Sequence, residues 1–132
     1  YLLIFSILFL IVPFSQLIVF SNTSIHDFNM FSKDSNGLIK YSDLNKVYTT
    51  VFFDQVGGKG QDMCQARTYF TFISGDSKIE SWIRMPYIYD IGSIIKQNDT
   101  GIEVNYTNNC NDQGQFNQEK ADIENALGVR FE

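Results

Sequence analysis

The sequence is poor in the side chains on which many catalytic sites are built. It contains one histidine, His26, and two cysteines among 132 residues. A histidine with no Ser or Cys nucleophile in a recognisable setting is usually structural, and a zinc site requires clustered Cys and His. The glycine-rich stretch Gly57–Gly60 also lacks the Gly-x-x-x-x-Gly-Lys-[Ser/Thr] spacing of a phosphate-binding loop. We therefore predict that the protein is not an enzyme.

Basic residues are few and scattered. Ten Lys and Arg residues against fifteen Asp and Glu residues give a formal net charge of −5. A nucleic-acid-binding surface would show clustered Lys and Arg, and the sequence has no such cluster. No basic cluster follows the N-terminal hydrophobic run either, where it would attract anionic lipid headgroups. The composition therefore predicts no nucleic-acid partner.

The start of the chain lacks charge, because no Asp, Glu, Lys or Arg precedes Asp27. Tyr1–Phe20 is a hydrophobic run that, as a helix, would span roughly 30 Å. A cleaved signal peptide would carry basic residues before such a run. No basic residue precedes this run, which disfavours a signal peptide. The alternatives are a membrane anchor and a helix buried inside an assembly. We predict a hydrophobic helix at 1–22 and a folded domain at 23–132.

A hydrophobic N-terminal helix followed by a small head resembles the plan of the type IV pilin family, archaeal pilins included. Bacterial pilins carry a glutamate near the start of that helix, where this chain has Phe5. Archaeal pilins often lack this acid. The resemblance implies a filament subunit that contacts other protein subunits through residues 1–20. A hetero-oligomeric membrane complex, with lipid around this segment, is the alternative.

Two sequence features favour an extracytoplasmic domain. Cys64 and Cys110 are the only pair available, and a disulfide between them would stabilise the fold by roughly 4 kcal/mol in the chain-entropy model. Two buried thiols in a reducing compartment are the alternative. Asn-x-[Ser/Thr] glycosylation sequons begin at Asn22, Asn98 and Asn105. Together the cysteine pair and the sequons predict a glycosylated domain outside the cytoplasm.

The first part of this domain has the pattern of a helix–loop–helix at 23–56. Ser24 and Asp27 resemble a capping box, and apolar residues follow at helical spacing: Ile25, Phe28 and Phe31. After a polar turn, a second helical pattern runs to Gly57 and consists of Leu44, Val47, Tyr48 and Val51.

The turn between these patterns resembles an EF-hand calcium loop. Gly37 and Ile39 stand at the sixth and eighth positions of a twelve-residue loop. The positions that supply side-chain oxygens in the family are occupied by Ser32, Asp34, Asn36 and Asp43. At the first position this chain has Ser32 where EF-hands have Asp. At the last position it has Asp43 where EF-hands have Glu, and in this respect the loop is similar to the calcium loops of dockerins, which end in Asp. The resemblance implies a Ca²⁺ site; a capped turn facing water is the alternative.

The remainder, 64–132, has the pattern of a β-rich head. Thr68–Ile73, Ile79–Ile83 and Ile102–Thr107 show strand-like alternation or β-branched and aromatic composition. Ser74–Ser77 reads as a hairpin turn, and the conformation of Tyr87–Ile95 is left open. A final helix is predicted at Asn117–Leu127, ended by Gly128. Trp82 and the tyrosines are expected in an aromatic core, with a sugar-binding surface as the alternative.

These patterns predict an α+β fold: an N-terminal hydrophobic helix, a helix–loop–helix, a small antiparallel sheet and a short C-terminal helix. The predicted function is that of a non-enzymatic structural subunit, anchored in a membrane or exposed at the cell surface. It would display a glycosylated, disulfide-bonded extracellular domain. The alternative is a membrane-tethered regulatory or binding module that uses Ca²⁺ at Ser32–Asp43.

Overall fold

A computed structural model describes residues 16–29, 37–57 and 63–131. Within these residues the chain forms seven strands, two α-helices and a 3₁₀ turn at Tyr41–Asp43. The strands are β1 (Gln16–Phe20), β2 (Ser24–Asn29), β3 (Gly37–Lys40), β4 (Lys46–Val56), β5 (Met63–Ser74), β6 (Ser77–Ile83) and β7 (Gly101–Asn109). The helices are α1 (Met85–Gln97) and α2 (Gln113–Leu127).

The first three strands form a small antiparallel sheet in the order β1-β2-β3. The predicted helix after Ser24 is therefore wrong, because Ser24–Asn29 is strand β2. Ser24, predicted to cap a helix, instead follows the turn between β1 and β2, and Asp27 lies within β2. In this turn the Ser21 hydroxyl donates to the Ser24 carbonyl at 3.1 Å. Ile25 pairs with Ile39 of β3, and both side chains are buried.

The other four strands form a larger sheet in the order β6-β5-β4-β7. Its strand pairs are antiparallel except β4–β7, which is parallel. The chain between β4 and β7 forms β5, β6 and α1. The predicted second helix, from Leu44 to Gly57, is wrong because this segment is mostly strand β4. The buried side chains of β4 alternate along the strand: Val47, Thr49, Val51 and Phe53. The sheet is thus mixed, not purely antiparallel as predicted.

The predicted N-terminal helix is not found in the part of Tyr1–Phe20 that the structure describes. Gln16–Phe20 is strand β1, and positions 1–15 lie outside the described residues. Phe20 makes an edge-to-face contact with Phe72 of β5, with ring centroids 5.8 Å apart. The end of the hydrophobic run therefore packs within the chain itself. Across the described ranges, neither helix has the length and apolar character required to cross a bilayer.

Later elements agree better with the sequence patterns. The hairpin between β5 and β6 turns at Gly75 and Asp76, as predicted. The final helix is present and begins earlier than predicted, because the Asp112 carboxylate accepts the Gln115 N–H at 3.1 Å as an N-cap. Gly128 ends it in the left-handed conformation at φ 73°. Tyr87–Ile95, the apolar segment whose pattern favours neither helix nor strand, lies in helix α1.

One hydrophobic core unites these elements. Helix α1 contributes a stripe of isoleucines at helical spacing, Ile88, Ile91 and Ile95. Helix α2 places Phe116 against Phe53 of β4, with ring centroids 5.0 Å apart. The small sheet contributes Ile25 and Ile39 to the same cluster, so that both helices and the small sheet pack on one face of the large sheet.

Candidate functional site

The predicted calcium ligands lie largely beyond what the structure describes. Ser32, Asp34 and Asn36 fall in the undescribed stretch 30–36, and Asp43 is exposed in the 3₁₀ turn. The segments expected to flank the loop as helices are strands, so the helix–loop–helix prediction is wrong. Calcium binding by these residues stays a prediction. In the described part of the chain, no group of three His, Cys, Asp or Glu residues is arranged to hold a metal ion.

The three sequon asparagines are exposed. Asn22 lies in the turn between β1 and β2, and Asn98 is the C-cap of α1. Asn105 lies in the middle of edge strand β7, paired in register with Thr50. The Asn98 amide donates to the carbonyl of Ile94 at 2.8 Å. These positions are compatible with glycosylation, which the sequence predicts and no observation in the structure tests.

Cys64 and Cys110 form a disulfide, with Cα atoms 5.5 Å apart. Cys64 lies near the start of β5, and Cys110 lies between β7 and the N-cap of α2. The bond therefore ties the beginning of α2 to the beginning of β5. Gln115, five residues after Cys110, is close enough to accept a hydrogen bond from the Cys64 N–H.

Strand β5 extends beyond the end of its neighbour β6. β5 has 12 residues and β6 has seven, and the last pair between them is Thr68 with Ile83. β4 continues to pair along the other side of β5 as far as Met63. The segment Met63–Arg67 therefore has one paired side and one side without a strand in the described sheet. We call the unpaired side the β5 edge.

Two side chains of α2 cover backbone donors of the β5 edge. The Cys64 N–H donates to Gln115 Oε1 at 2.8 Å, and the Ala66 N–H faces the Glu119 carboxylate and lowers its pKa. Gln115 and Glu119 are four residues apart on a helix, which corresponds to about 6 Å of rise. Donors two residues apart on a strand are about 6.6 Å apart. The helix thus presents acceptors at nearly the spacing that a neighbouring strand would offer.

A groove of roughly 1150 Å³ lies beside the β5 edge. Its apolar walls include Trp82 and Ile83 at the end of β6 and Met85, Pro86 and Ile88 at the start of α1. Glu119, Asp122 and Ile123 of α2 also line it. The groove exists because the chain leaves the sheet after Ile83 to form α1, while β5 and β4 continue.

The groove has a half-buried acidic group on its α2 side. Desolvation by burial raises the pKa of Glu119, and the nearby Asp122 carboxylate raises it further, while the Ala66 N–H opposes both effects. Arg67 also lines the groove, but it forms an ion pair with Asp54 at 2.8 Å. Arg84 is exposed at the N-cap of α1. A cation placed near Glu119 would therefore stabilise its carboxylate.

An exposed aromatic cluster lies next to the groove on the outer face of the large sheet. Trp82 is 54% exposed, and its ring lies 5.1 Å from that of Tyr69 and 5.9 Å from that of Phe52. The Arg67 guanidinium lies 5.5 Å from the Trp82 ring centroid. The prediction that Trp82 lies in the core is therefore wrong. The Trp82 side chain instead provides an exposed apolar surface.

The groove residues were missed by sequence reasoning. The helical pattern of Asn117–Leu127 does not distinguish Glu119 and Asp122 from solvent-exposed acidic residues, and no motif includes Ala66. Their role depends on the end of β6 relative to β5, which no local pattern specifies. The one usable signal was the cysteine pair, because a Cys64–Cys110 bond brings the start of α2 to β5.

Comparisons of the chain with protein-family models, curated proteins and solved structures found no match.

Proposed function

We propose that the protein is a non-enzymatic structural subunit that displays a disulfide-bonded, N-glycosylated domain outside the cytoplasm. The observation that carries the proposal is the Cys64–Cys110 disulfide. Structural disulfides persist in secreted and extracellular proteins and are rare in the reducing cytosol. The exposed sequon asparagines support the same compartment, since N-glycans are attached to surface positions of secreted proteins.

The sequon positions also suggest which surface contacts other subunits. Asn98 precedes the end of the large sheet where Lys46 pairs with Gly101. The groove lies at the other end, where Val56 pairs with Met63. β4 spans these ends with 11 residues, or roughly 35 Å.

The other two sequons are also away from the groove. Thr23, next to Asn22, accepts the Tyr41 N–H at 2.9 Å, and Ser74 binds the Asp43 carbonyl, which places this turn near the Lys46 end. Asn105 is on the opposite edge strand of the sheet from β6. Glycans at the three positions would leave the groove accessible, which supports it as the contact surface for a partner subunit.

Secretion from a eukaryotic cell tests the compartment. The chain is expressed behind a cleavable secretion signal, and its mobility is compared before and after removal of N-glycans by a glycosidase. Each of the variants Asn22→Gln, Asn98→Gln and Asn105→Gln should lack one N-glycan and therefore show a smaller shift in gel mobility on glycosidase treatment. Asn111→Gln, outside any sequon, is the control. Alkylation before and after reduction should show no free thiol in the oxidised protein.

The assignment as a subunit has its own test. Native material in mild detergent is analysed by sedimentation and negative-stain microscopy, and we expect particles or filaments much larger than the 15.2 kDa chain. A secreted chain with unmodified asparagines and two free thiols would contradict the compartment. A monomer in the native material would contradict the role as a subunit.

A further inference from the structure

The β5 edge provides the backbone groups that a strand-forming peptide requires. Met63–Arg67 is paired with β4 on one side only, within the described sheet. Its Cys64 N–H points to the unpaired side, where it donates to Gln115, and the Ala66 N–H points to the same side because it lies two residues further along the strand. Peptides commonly bind proteins by adding a strand at such an edge, where main-chain hydrogen bonds supply affinity.

The side chains that cover this edge can be replaced without leaving buried donors unsatisfied. Gln115 accepts the Cys64 N–H and Glu119 faces the Ala66 N–H, and their spacing approximates that of two carbonyls on an adjacent strand. A peptide strand would provide two carbonyl acceptors at the same positions. The displaced Glu119 carboxylate would lose the Ala66 N–H, and a cationic side chain of the peptide would stabilise the carboxylate in its place.

The charges and apolar surfaces of the groove define the peptide. Side chains of a strand alternate between the two faces of a sheet. On the inner face, the peptide would meet Glu119 and Asp122, which favour a Lys or Arg side chain. On the outer face it would meet Trp82, which is 54% exposed and favours an apolar side chain. The complementary segment thus alternates basic and apolar residues.

We propose that the groove binds an extended peptide segment of a partner protein, which adds as a strand at Met63–Arg67. Basic side chains of the segment pair with Glu119 and Asp122, and its apolar side chains pack against Trp82. The proposal rests on the proposed role as a subunit and specifies how the partner is recognised. The test of peptide binding uses neither the glycans nor the native assembly. Failure of the peptide-binding proposal therefore does not imply failure of the proposed role as a subunit.

Fluorescence anisotropy with a defined probe tests the proposal. The probe is a fluorescein-labelled, acetylated heptapeptide of alternating Val and Lys, added to the oxidised protein. We expect saturable binding, and at least tenfold weaker binding of the same peptide with Glu in place of Lys. Two further probes carry N-methyl groups on all Val or on all Lys residues. At least one should bind tenfold more weakly, because methylation removes the N–H groups that face β5.

Protein variants locate the site. Ala66→Pro removes the edge N–H and leaves the hydrogen bonds of β5 to β4 in place, because the Ala66 N–H, like the Cys64 N–H, points away from β4. We expect at least tenfold weaker binding of the Val-Lys probe. Asp122→Asn should weaken it severalfold, whereas Asp76→Asn, the same charge change in the hairpin turn, should leave it unchanged.

Three results would overturn the proposal. These are no saturable binding by the native protein, equal binding of the parent and both methylated probes, and equal effects of Asp122→Asn and Asp76→Asn. Binding of the methylated probes is measured with the unaltered protein. The proposal can therefore be tested even if the Ala66→Pro variant does not fold.

Discussion

Gly92 allows helices α1 and α2 to approach each other at backbone distance. A Cβ atom at this position would collide with the carbonyl oxygen of Ala126, a backbone atom that no side-chain rotation can move away. Alanine is favoured over glycine inside a helix by about 1 kcal/mol, but overpacking of this kind costs about 1–3 kcal/mol or more. The steric term should therefore decide the outcome.

We predict that Gly92→Ala lowers the free energy of unfolding by about 2 kcal/mol or more, measured by urea titration, because about 3 kcal/mol of overpacking exceeds a gain of about 1 kcal/mol in helix propensity. Gly101→Ala is the matched control, because a Cβ there meets no atom within 4 Å. It should change stability by no more than about 0.5 kcal/mol. Equal effects of the two substitutions would contradict the close approach of the helices.

Glu119 should make stability depend on pH. Its pKa in the folded protein is raised above the ordinary value of 4.5, first by burial and then by Asp122. The folded chain therefore binds more protons than the unfolded chain between these two values, and stability is lost as the pH rises through the folded pKa. The other ionisable groups lining the groove are Arg67 and Arg84.

Glu119→Gln keeps an acceptor for the Ala66 N–H and removes this titration. We predict that the variant is more stable than the native protein at pH 7 and that the difference disappears below about pH 4.5. Urea titrations from pH 3 to pH 8 measure it, with Asp76→Asn as the control for net charge. A difference that is constant over this range would show that Glu119 is not desolvated.

At the scale of elements, the disulfide organises the junction of β5 and α2. It closes a loop with a sequence separation of 46, which corresponds to about 4 kcal/mol in the chain-entropy model. It also lies close to the hydrogen bond between the Cys64 N–H and Gln115. Loss of the cross-link should therefore affect both global stability and the covering of the β5 edge.

We predict that Cys64→Ala with Cys110→Ala lowers the free energy of unfolding by about 2–4 kcal/mol. Hydrogen exchange at the residue-66 amide should accelerate more than at Phe70, which lies where β5 is paired with β6. Reduction of the native protein is the parallel experiment. If both amides accelerate equally, the disulfide stabilises the fold without positioning α2.

The sequence predicted elements well where hydrophobic period and composition agreed. The β5–β6 hairpin has β-branched and aromatic strands around a Gly-containing turn, and α2 has both a cap and a terminal glycine. In β4, Val47 and Val51 suggest a helix because Thr49, a buried polar residue, masks the alternation. The β-branched and aromatic content of Lys46–Val56 was the better signal.

At the scale of the whole molecule, the groove was beyond sequence reasoning because it depends on contacts between distant segments. The parallel pairing of β4 with β7 sets the position of α2, and the lengths of β5 and β6 set the extent of the β5 edge. Neither relation is encoded within a local window. The pairing of the two cysteines was predictable because only one pairing was available, and it identified one of these contacts.

The two sheets share one core, so the molecule should unfold as one unit. Ile39 of the small sheet is 1% exposed and belongs to the same cluster as the buried residues of the large sheet. Trp82, the single tryptophan, lies on β6 of the large sheet and is a unique fluorescence probe. A substitution in the small sheet should therefore be detected by a probe in the large one.

We predict that Ile39→Ala lowers the free energy of unfolding by about 2–5 kcal/mol, because it removes a fully buried side chain. Trp82 fluorescence and far-ultraviolet circular dichroism should report the same shifted midpoint in urea. Leu38→Ala is the control on the same strand, since Leu38 is 48% exposed, and it should have a much smaller effect. If Ile39→Ala shifts the dichroism midpoint and leaves the Trp82 midpoint unchanged, the small sheet unfolds independently, and stability at the groove is then decoupled from β1–β3.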